Sequence, residues 1–352
     1  MARLLELLTH AGPEQFGFRE VRVFGGASLE KLPDPDWLKK IYISRRKLRP
    51  WEQIVWNKIK AKRLLASSDL VFAPGSTFAV KGVRHVCLPQ NMLVFDSIES
   101  GRFPSGWTKA RYRILRHQQL RSLKTSAGNI FLSNYAKESI QRFIPKTNKP
   151  TRVIHHGVDQ RFLSNPKNTL SPKKHLKLLC VSTVNFHKHQ WNVVDAVDKL
   201  RGTGIDLSLK LIGGGHPDAI KRLYKFIAGK TDFVEYCGSV EYETLHEEYK
   251  KADLFIFAST CENMPNILLE AMAAGKPIAC SNYPPMPEFL KNCGIYFDPL
   301  NKSSICQAIS ELAQNPELAS NLSSKAYQEA EKYTWKKTAD ETFDFLQTCV
   351  EN

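Results

Sequence analysis

The chain has 352 residues, of which 42% are hydrophobic and 24% charged, a composition typical of a globular protein with about two domains. No run of about 18 apolar residues occurs, which excludes a predicted membrane-spanning helix. The first residues lead into a helix-like stretch rather than a secretory signal, and eight cysteines stand without metal-ligand spacing or a His cluster. We therefore expect a cytoplasmic protein with reduced thiols and no metal site.

The net charge of +15 is unevenly distributed, with +18 in residues 1–170 and −3 in the remainder. Ten Lys and Arg residues lie between positions 37 and 63, against the single acid Glu52, and three tryptophans and one tyrosine of this stretch are interleaved among them. Three interpretations of 37–63 stay open. It binds an anionic membrane surface, in which case the protein is peripheral on the inner face of the membrane; it is a solvated helical face with core tryptophans; or it binds nucleic acid, a partner we do not expect.

Helices and strands alternate along the first half of the chain. Apolar periodicity predicts helices over 2–8, 51–65, 107–123 and 135–143, the last capped by Ser133. It predicts strands over 19–24, 70–73, 83–88, 129–132 and 152–154. A polar, Pro-containing stretch over 165–174 is typical of a linker.

The alternation continues more regularly after the linker. Strands are predicted over 176–182, 207–212, 233–237, 254–258 and 278–281, and helices over 191–200, 217–227, 245–250 and 266–274. Short apolar strands alternating with helices indicate parallel sheets, so the fold class is α/β with two Rossmann-like domains facing across a cleft. The predicted domains are 1–165 and 166–330, and a C-terminal helix at 331–352 packs back toward the first domain.

The most informative segment covers residues 253–298. An apolar strand ends at Ala258, a polar loop follows, and a helix begins near Pro265 and stops at Gly275. A helix that begins at the carboxyl end of a parallel strand directs free N–H groups and a positive dipole end at one point, which favours phosphate binding. Glu262 lies in the loop and Glu270 in the apolar helix, where a buried carboxylate needs hydrogen-bond donors such as ribose hydroxyls or a structural partner.

This segment, read as ENMPNILLEAMAAGKPI, closely resembles the signature of retaining glycosyltransferases of family 4, which have the GT-B fold. Further segments resemble landmarks of that family in the same order. They are VSTVNFHKHQWNVVDAV (181–197), LKLIGGG (209–215), VEYCGSVEYETLHEEYKKADLFIFAS (234–259), CGIYFDPLN (293–301) and YTWKKTADET (333–342). The first half matches more weakly, through DLVFAPGS (69–76), LPQNMLVFD (88–96), NIFLSNYAKESI (129–140) and VIHHGVDQRF (153–162).

The resemblance implies transfer of a sugar from a UDP- or GDP-linked donor to a glycan or lipid-linked acceptor, with retention of configuration and without a metal or other cofactor. Glu270 is expected to bind the donor ribose, Glu262 to lie near the transferred sugar, and Lys188 to face the diphosphate. The alternative for Lys188 is an exposed surface lysine. Further expected contacts are the backbone of Asn263, Met264 and Asn266 to the diphosphate, Gly213 and Gly214 beside the donor or in a structural turn, Val240 near the base, and Asn91 on the acceptor side or as a turn residue.

Two departures from the family pattern leave another function open. The family usually has an Arg five residues before the Lys, but Thr183 stands at that position. The chain as given begins at a predicted helix, MARLLELL, where the family has a strand and a glycine-rich turn. The alternative is a non-catalytic GT-B scaffold, or a truncated and inactive relative that binds a nucleotide-sugar or a partner; a sugar-nucleotide epimerase is disfavoured by the signature.

Overall fold

The structure, a computed structural model, describes residues 12, 14–42, 61–65, 67–145, 148–166 and 174–351. The chain divides into two compact units. The first unit comprises residues 1–91, 113–157 and 334–352, and the second comprises residues 92–112 and 158–333. The chain therefore passes from one unit to the other at residues 91, 112, 157 and 333.

The second unit contains a sheet of six parallel strands in the order β9-β8-β7-β10-β11-β12. Apolar runs form these strands because both faces of the sheet are covered, and β10 and β11 are buried along their whole length. The strands are β7 (Leu176–Val181), β8 (Leu207–Ile212), β9 (Val234–Tyr236), β10 (Leu254–Phe257), β11 (Ile278–Ser281) and β12 (Ile295–Phe297).

Amphipathic helices connect and cover these strands. In the helix Pro217–Ile227, Ala219, Leu223 and Ile227 are buried on one face, and the side chain of His216 caps the N-terminus. The other helices of this unit are Ser97–Gly101, Gln190–Arg201, Tyr242–Lys251, Asn266–Ala273, Met286–Leu290, Lys302–Gln314 and Pro316–Ala330, with 3-10 turns at Met92–Val94 and Gln160–Phe162.

The first unit contains two parallel sheets. One pairs β1 (Val21–Gly25) with β2 (Leu38–Tyr42), and the other has four strands in the order β3-β4-β5-β6. These are β3 (Val71–Pro74), β4 (His85–Leu88), β5 (Gly128–Phe131) and β6 (Thr151–Val153). The helices are Ala61–Leu65, Asn134–Gln141 and Trp335–Glu351, with 3-10 turns at Glu14–Phe16 and Ala27–Lys31; the helix Gly106–Thr125 begins in the second unit and ends in the first.

The C-terminal helix, Trp335–Glu351, packs on the first unit. Phe343 contacts Phe16 with ring centroids 5.2 Å apart, and the guanidinium of Arg84 donates to the Cys349 carbonyl oxygen at 2.6 Å. Gly128 on β5 lies directly against Phe345 and Cys349. The last helix of the chain is therefore part of the core of the unit that contains its earliest described strands.

The predicted α/β fold with parallel sheets is confirmed. Strands 207–212 and 278–281 and the helix 217–227 have the predicted bounds, and most other predicted elements agree within about two residues. The predicted strand 83–88 is shorter and begins at His85, and the predicted helix 245–250 is longer, because Tyr242, three residues before Leu245, begins its first turn. In the helix 135–143, the Ser133 hydroxyl accepts from the Ala136 N–H at 3.1 Å, as predicted.

The basic stretch 37–63 begins as a strand and not as the solvated helical face of one of its three interpretations. Residues 38–42 form strand β2, and Leu38 is buried with Leu29 and Leu32. Lys40 pairs with Asp34 at 3.3 Å. The predicted helix 51–65 is described only over Ala61–Leu65, and the predicted helix 2–8 and most of the linker lie outside the described residues.

Candidate functional site

The strand order of the second unit reverses between the neighbouring strands β7 and β10. Open parallel sheets bind ligands at the carboxyl ends of such strands. The loops that follow β7 and β10 are joined, because the Thr260 N–H donates to the His187 carbonyl oxygen at 2.9 Å and the Thr260 hydroxyl lies 3.1 Å from Nε2 of His189. These two loops therefore form one surface at the switch point of the sheet.

The structure brings Lys188 and Glu262 together on this surface. Their side chains form an ion pair and are only 7% and 15% exposed, and the Lys188 ammonium lies 5.4 Å from the ring centroid of Phe257. The alternative of an exposed surface lysine is therefore wrong. A buried cation held by one carboxylate is suited to exchange that partner for an incoming anion.

The two histidines beside Lys188 are neutral. Burial lowers the pKa of His187 well below its ordinary value, and Lys188, His189 and Arg102 lower it further. Burial also lowers the pKa of His189 to about 3, with contributions from Arg102 and Arg222. Among residues 183–190, Lys188 is consequently the single charged side chain.

The signature helix, Asn266–Ala273, begins directly after the β10 loop. Asn263 and Met264 are buried, and the Asn266 N–H donates to the Met264 carbonyl oxygen at 3.0 Å around Pro265, whose φ is −82° and ψ is 75°. This N–H thus has a partner within the turn in the structure. Gly275 ends the helix as predicted, with a φ of +59° and its N–H bonded to the Met272 carbonyl oxygen.

Glu270 is a buried carboxyl group of the signature helix. Its Oε2 accepts from the Tyr249 hydroxyl at 3.1 Å, and it forms no ion pair with any described residue. Burial raises the pKa of Glu270 to about 7; Tyr249 and Tyr242 oppose the shift through hydrogen bonds, while Asp159 adds to it. The carboxyl group can therefore gain or lose a proton near neutral pH, and it is most stable as an anion when further donors reach it.

The glycine loop after β8 packs against the loop after β7. A Cβ on Gly213, whose φ is +137°, would lie 2.1 Å from the Ser182 carbonyl oxygen, and one on Gly215 would lie 2.0 Å from that of Val184. The structural-turn interpretation of Gly213 is therefore sufficient to explain the glycine. Gly214 takes part in this contact through its backbone, because its carbonyl oxygen accepts a hydrogen bond from the Val184 N–H at 2.8 Å. Val240 is partly exposed beyond β9.

A segment not predicted to belong to this site, Met92–Tyr112, is part of the second unit. Phe103 is buried, with its ring centroid 5.3 Å from Phe186 and 5.5 Å from His216. Nε of Arg102, the preceding residue, donates to Oε2 of Glu99 at 2.7 Å in an ion pair, and the Arg102 charge lowers the pKa of His187 and His189. The i,i+3 spacing of Glu99 and Arg102 is typical of an ion pair, but nothing in the sequence indicates that this pair lies beside the β7 loop.

Two other predicted residues lie on the surface of their units. Thr183, at the position of the family's Arg, is exposed, and its carbonyl oxygen accepts from the Gln190 side chain at 3.0 Å. Asn91 is exposed in the first unit, immediately before the turn Met92–Val94. In the part of the chain that the structure describes, no group of three His, Cys, Asp or Glu residues is placed to hold a metal ion.

Comparison with known proteins finds similarity to glycosyltransferases. The family model for glycosyl transferases group 1 matches residues 162–329. An uncharacterized glycosyltransferase of Methanocaldococcus jannaschii is 23% identical over 290 residues, covering 78% of this chain and 73% of that protein. A GDP-mannose-dependent alpha-(1-6)-phosphatidylinositol monomannoside mannosyltransferase of Mycobacterium tuberculosis is 26% identical over 211 residues, 54% of each chain.

Solved structures show the same fold. HepE of Anabaena, in complex with UDP and glucose, is similar with a TM-score of 0.69 and 15% identity, covering 97% of this chain and 93% of that chain. The predicted GT-B fold is confirmed. Among the described residues there is also no helix long and apolar enough to cross a membrane.

Proposed function

Because residues 162–329 form a glycosyl transferases group 1 domain, we propose that the protein is a retaining glycosyltransferase of family 4. It moves a sugar from a UDP- or GDP-linked donor to a glycan or lipid-linked acceptor. The observation that carries this proposal is the buried pair of Lys188 and Glu262 at the switch point, followed by the buried carboxyl group of Glu270 in the next helix.

The proposed roles follow from charge and burial. The donor diphosphate replaces Glu262 as the partner of Lys188, and Glu262 is left beside the transferred sugar. Lys188 and the N-terminus of the signature helix stabilise the negative charge that develops on the departing nucleoside diphosphate, so no metal is required. Glu270 accepts hydrogen bonds from the ribose hydroxyls, which compensate for its burial.

Arg102 is the proposed substitute for the cation that Thr183 does not provide. Arg102 lies next to Phe103, which packs against Phe186 of the β7 loop. Its positive charge lowers the pKa of His187 and His189. Its ion pair with Glu99 leaves further guanidinium N–H groups for phosphate oxygens, because Arg has five donors.

A lipid-linked acceptor is supported by the composition of the first half and by the Mycobacterium tuberculosis relative, whose name includes a phosphatidylinositol mannoside. The proposed contact of 37–63 with an anionic membrane rests on that stretch's cations and aromatics. The protein then acts as a peripheral enzyme on the cytoplasmic face of a membrane.

A screen of nucleotide-sugars tests the proposal. A bound donor is expected to raise the melting temperature, since ligand at 100 times Kd stabilises the folded state by about 2.7 kcal/mol. The effect should be lost in Glu270→Ala and kept in the control Glu317→Ala, which alters an exposed residue of Pro316–Ala330. If no nucleotide or nucleotide-sugar binds, the proposal is wrong; donor binding without sugar transfer to any acceptor or water supports the non-catalytic scaffold instead.

A further inference from the structure

The helix Gly106–Thr125, here called the basic helix, carries one sign of charge. It contains six Lys and Arg residues and one His, and no acid. Such a helix is unusual as an ordinary solvated face, because it has no carboxylates to form i,i+4 pairs with its own cations.

The exposed residues of the basic helix lie on one broad face. They occur at 106, 107, 111, 113, 114, 117, 118, 121, 124 and 125, while Gln119, Ser122 and Leu123 are buried on another face. Trp107 is 76% exposed and Ile114 is 54% exposed on this outward face. Large apolar side chains therefore point into solvent between cations.

The cations of the outward face have no acidic partners among the described residues. None of Arg111, Arg113, Arg121 and Lys124 forms an ion pair with a carboxylate in the described ranges of the chain. Arg116, on the side of the helix that packs inward, instead lies over the ring of Phe143 at 4.1 Å. The charge of the outward face is thus uncompensated within the described structure.

We propose that the outward face of the basic helix binds the surface of a bilayer that contains anionic phospholipids. Lys and Arg are attracted to anionic headgroups, and Trp with a branched aliphatic residue enters the boundary between headgroups and acyl chains. Nucleic acid would satisfy the cations but not the exposed Trp107 and Ile114. The residues of this face are not those of 37–63.

The inference rests on the proposed function, because a lipid-linked acceptor lies at the surface of a membrane. Binding of vesicles needs no sugar donor, so the two can be tested independently. Nucleoside diphosphate titration without vesicles reports on the donor site, and vesicle binding without nucleotide reports on the basic helix.

The test is sedimentation of the full chain with vesicles of phosphatidylcholine alone or with 30 mol % phosphatidylglycerol, about the anionic content that gives a substantial surface potential. The variant Trp107→Ser/Arg111→Glu/Arg121→Glu is compared with Tyr224→Ser/Lys221→Glu/Lys225→Glu. The second variant makes the same charge change and also removes an exposed aromatic, on the helix Pro217–Ile227. We expect the partition coefficient on anionic vesicles to fall about thirtyfold or more in the first variant and to stay within about twofold in the second.

A second measurement does not depend on the triple variant folding. Lipids brominated near the headgroup should quench part of the tryptophan fluorescence of the wild-type protein, and the quenched part should be smaller in Trp107→Phe, with any remainder coming from the tryptophans of 37–63. Equal quenching in Trp107→Phe, equal vesicle binding by the two triple variants, or binding to DNA but not to anionic vesicles would each overturn the inference.

Discussion

Glu270 combines burial with hydrogen bonds from tyrosine, and this combination makes its charge state sensitive to pH. Its pKa is raised from the ordinary value of 4.5 to about 7 because burial disfavours the anion. The folded protein therefore holds a proton that the unfolded chain has already released between about pH 4.5 and 7. In this window the free energy of unfolding falls as pH rises, and above about pH 7 the loss is complete.

Replacing Glu270 by Gln removes this pH dependence. We expect Glu270→Gln to have about wild-type stability at pH 5 and to be more stable than the wild type by about 3 kcal/mol at pH 8, since one pKa unit corresponds to about 1.4 kcal/mol. Urea denaturation at the two pH values measures the difference.

Glu329→Gln is the matched control with the opposite sign. Burial raises the pKa of Glu329, but hydrogen bonds from Lys291 and Lys332 outweigh this effect and lower the pKa. Its contribution to the free energy of unfolding is therefore present above the ordinary pKa of a glutamate and is lost as pH falls. Its substitution should destabilise the protein at pH 8. A Glu270→Gln stability profile parallel to that of the wild type would show that the carboxyl group is not proton-linked to folding.

Arg102 gives a second prediction at this scale. If its guanidinium binds the donor diphosphate, Arg102→Gln should weaken nucleoside diphosphate binding by about ten- to hundredfold, because hydrogen bonds to charged groups contribute about 1.5–3 kcal/mol. Calorimetric titration measures the change, and Arg142→Gln, an exposed cation of the first unit, should bind like the wild type. Unchanged affinity in Arg102→Gln leaves Lys188 as the cation of the site.

The sequence identifies the residues of the site that lie within a motif, but not the residues that support them from elsewhere. Glu262, Glu270 and Lys188 are recognised because their spacing and neighbours are those of a known signature. Tyr249 and Arg102 could not be identified in this way, because each reaches the site through the packing of a different helix. A tyrosine 21 residues before its carboxylate partner carries no local pattern that links the two.

At the scale of secondary structure, prediction succeeds where strands are buried on both faces. β10 and β11 are uninterrupted apolar runs, which explains why their positions can be read directly. β2 was missed because Lys39 and Lys40 interrupt its apolar residues, and the surrounding cations indicate a surface instead. A short edge strand in a charged segment has too few apolar positions for its period to be recognised.

The contact between β5 and the C-terminal helix is tight enough to predict a stability effect. A Cβ on Gly128 would lie 2.5 Å from Sγ of Cys349 and 3.0 Å from the Phe345 ring. Gly128→Ala should therefore destabilise the protein by about 1–3 kcal/mol through overpacking. Thermal unfolding measures the effect, and Gly101→Ala, whose Cβ meets no atom within 4 Å, is the control.

The double variant Gly128→Ala/Cys349→Ala tests whether the sulfur causes this strain. Removing it opens space for the new methyl group, so the double variant should be more stable than the sum of the two single changes indicates. Additive effects would show that the backbone, rather than the Cys349 side chain, determines the cost.

For the whole molecule, the arrangement of the chain predicts the effect of removing its end. Truncation after Tyr333 deletes the C-terminal helix, which belongs to the first unit. We expect hydrogen exchange to accelerate in β5 and β6, which lose their contacts with Phe345, and to change little in β7 to β12. Exchange that rises equally in both units, or in neither, contradicts the prediction.

The charge distribution and the strand–helix alternation indicate two α/β halves without any structural information. The sequence analysis predicts that the C-terminal helix returns to the first domain, but it does not indicate that residues 92–112 join the second unit. The position of 92–112 depends on tertiary contacts such as that of Phe103 with Phe186, which local periodicity does not encode.

The position of the C-terminal helix also has a consequence for biosynthesis. The ribosome makes the strands of the first unit early, but the helix that covers β5 leaves the exit tunnel only after residues 158–333 have been made. At roughly 5–20 residues per second, this interval is about 10–35 s. During that time the nascent chain presents the apolar surface around Gly128 and Phe131 uncovered, which makes it a substrate for chaperones that hold chains until translation ends.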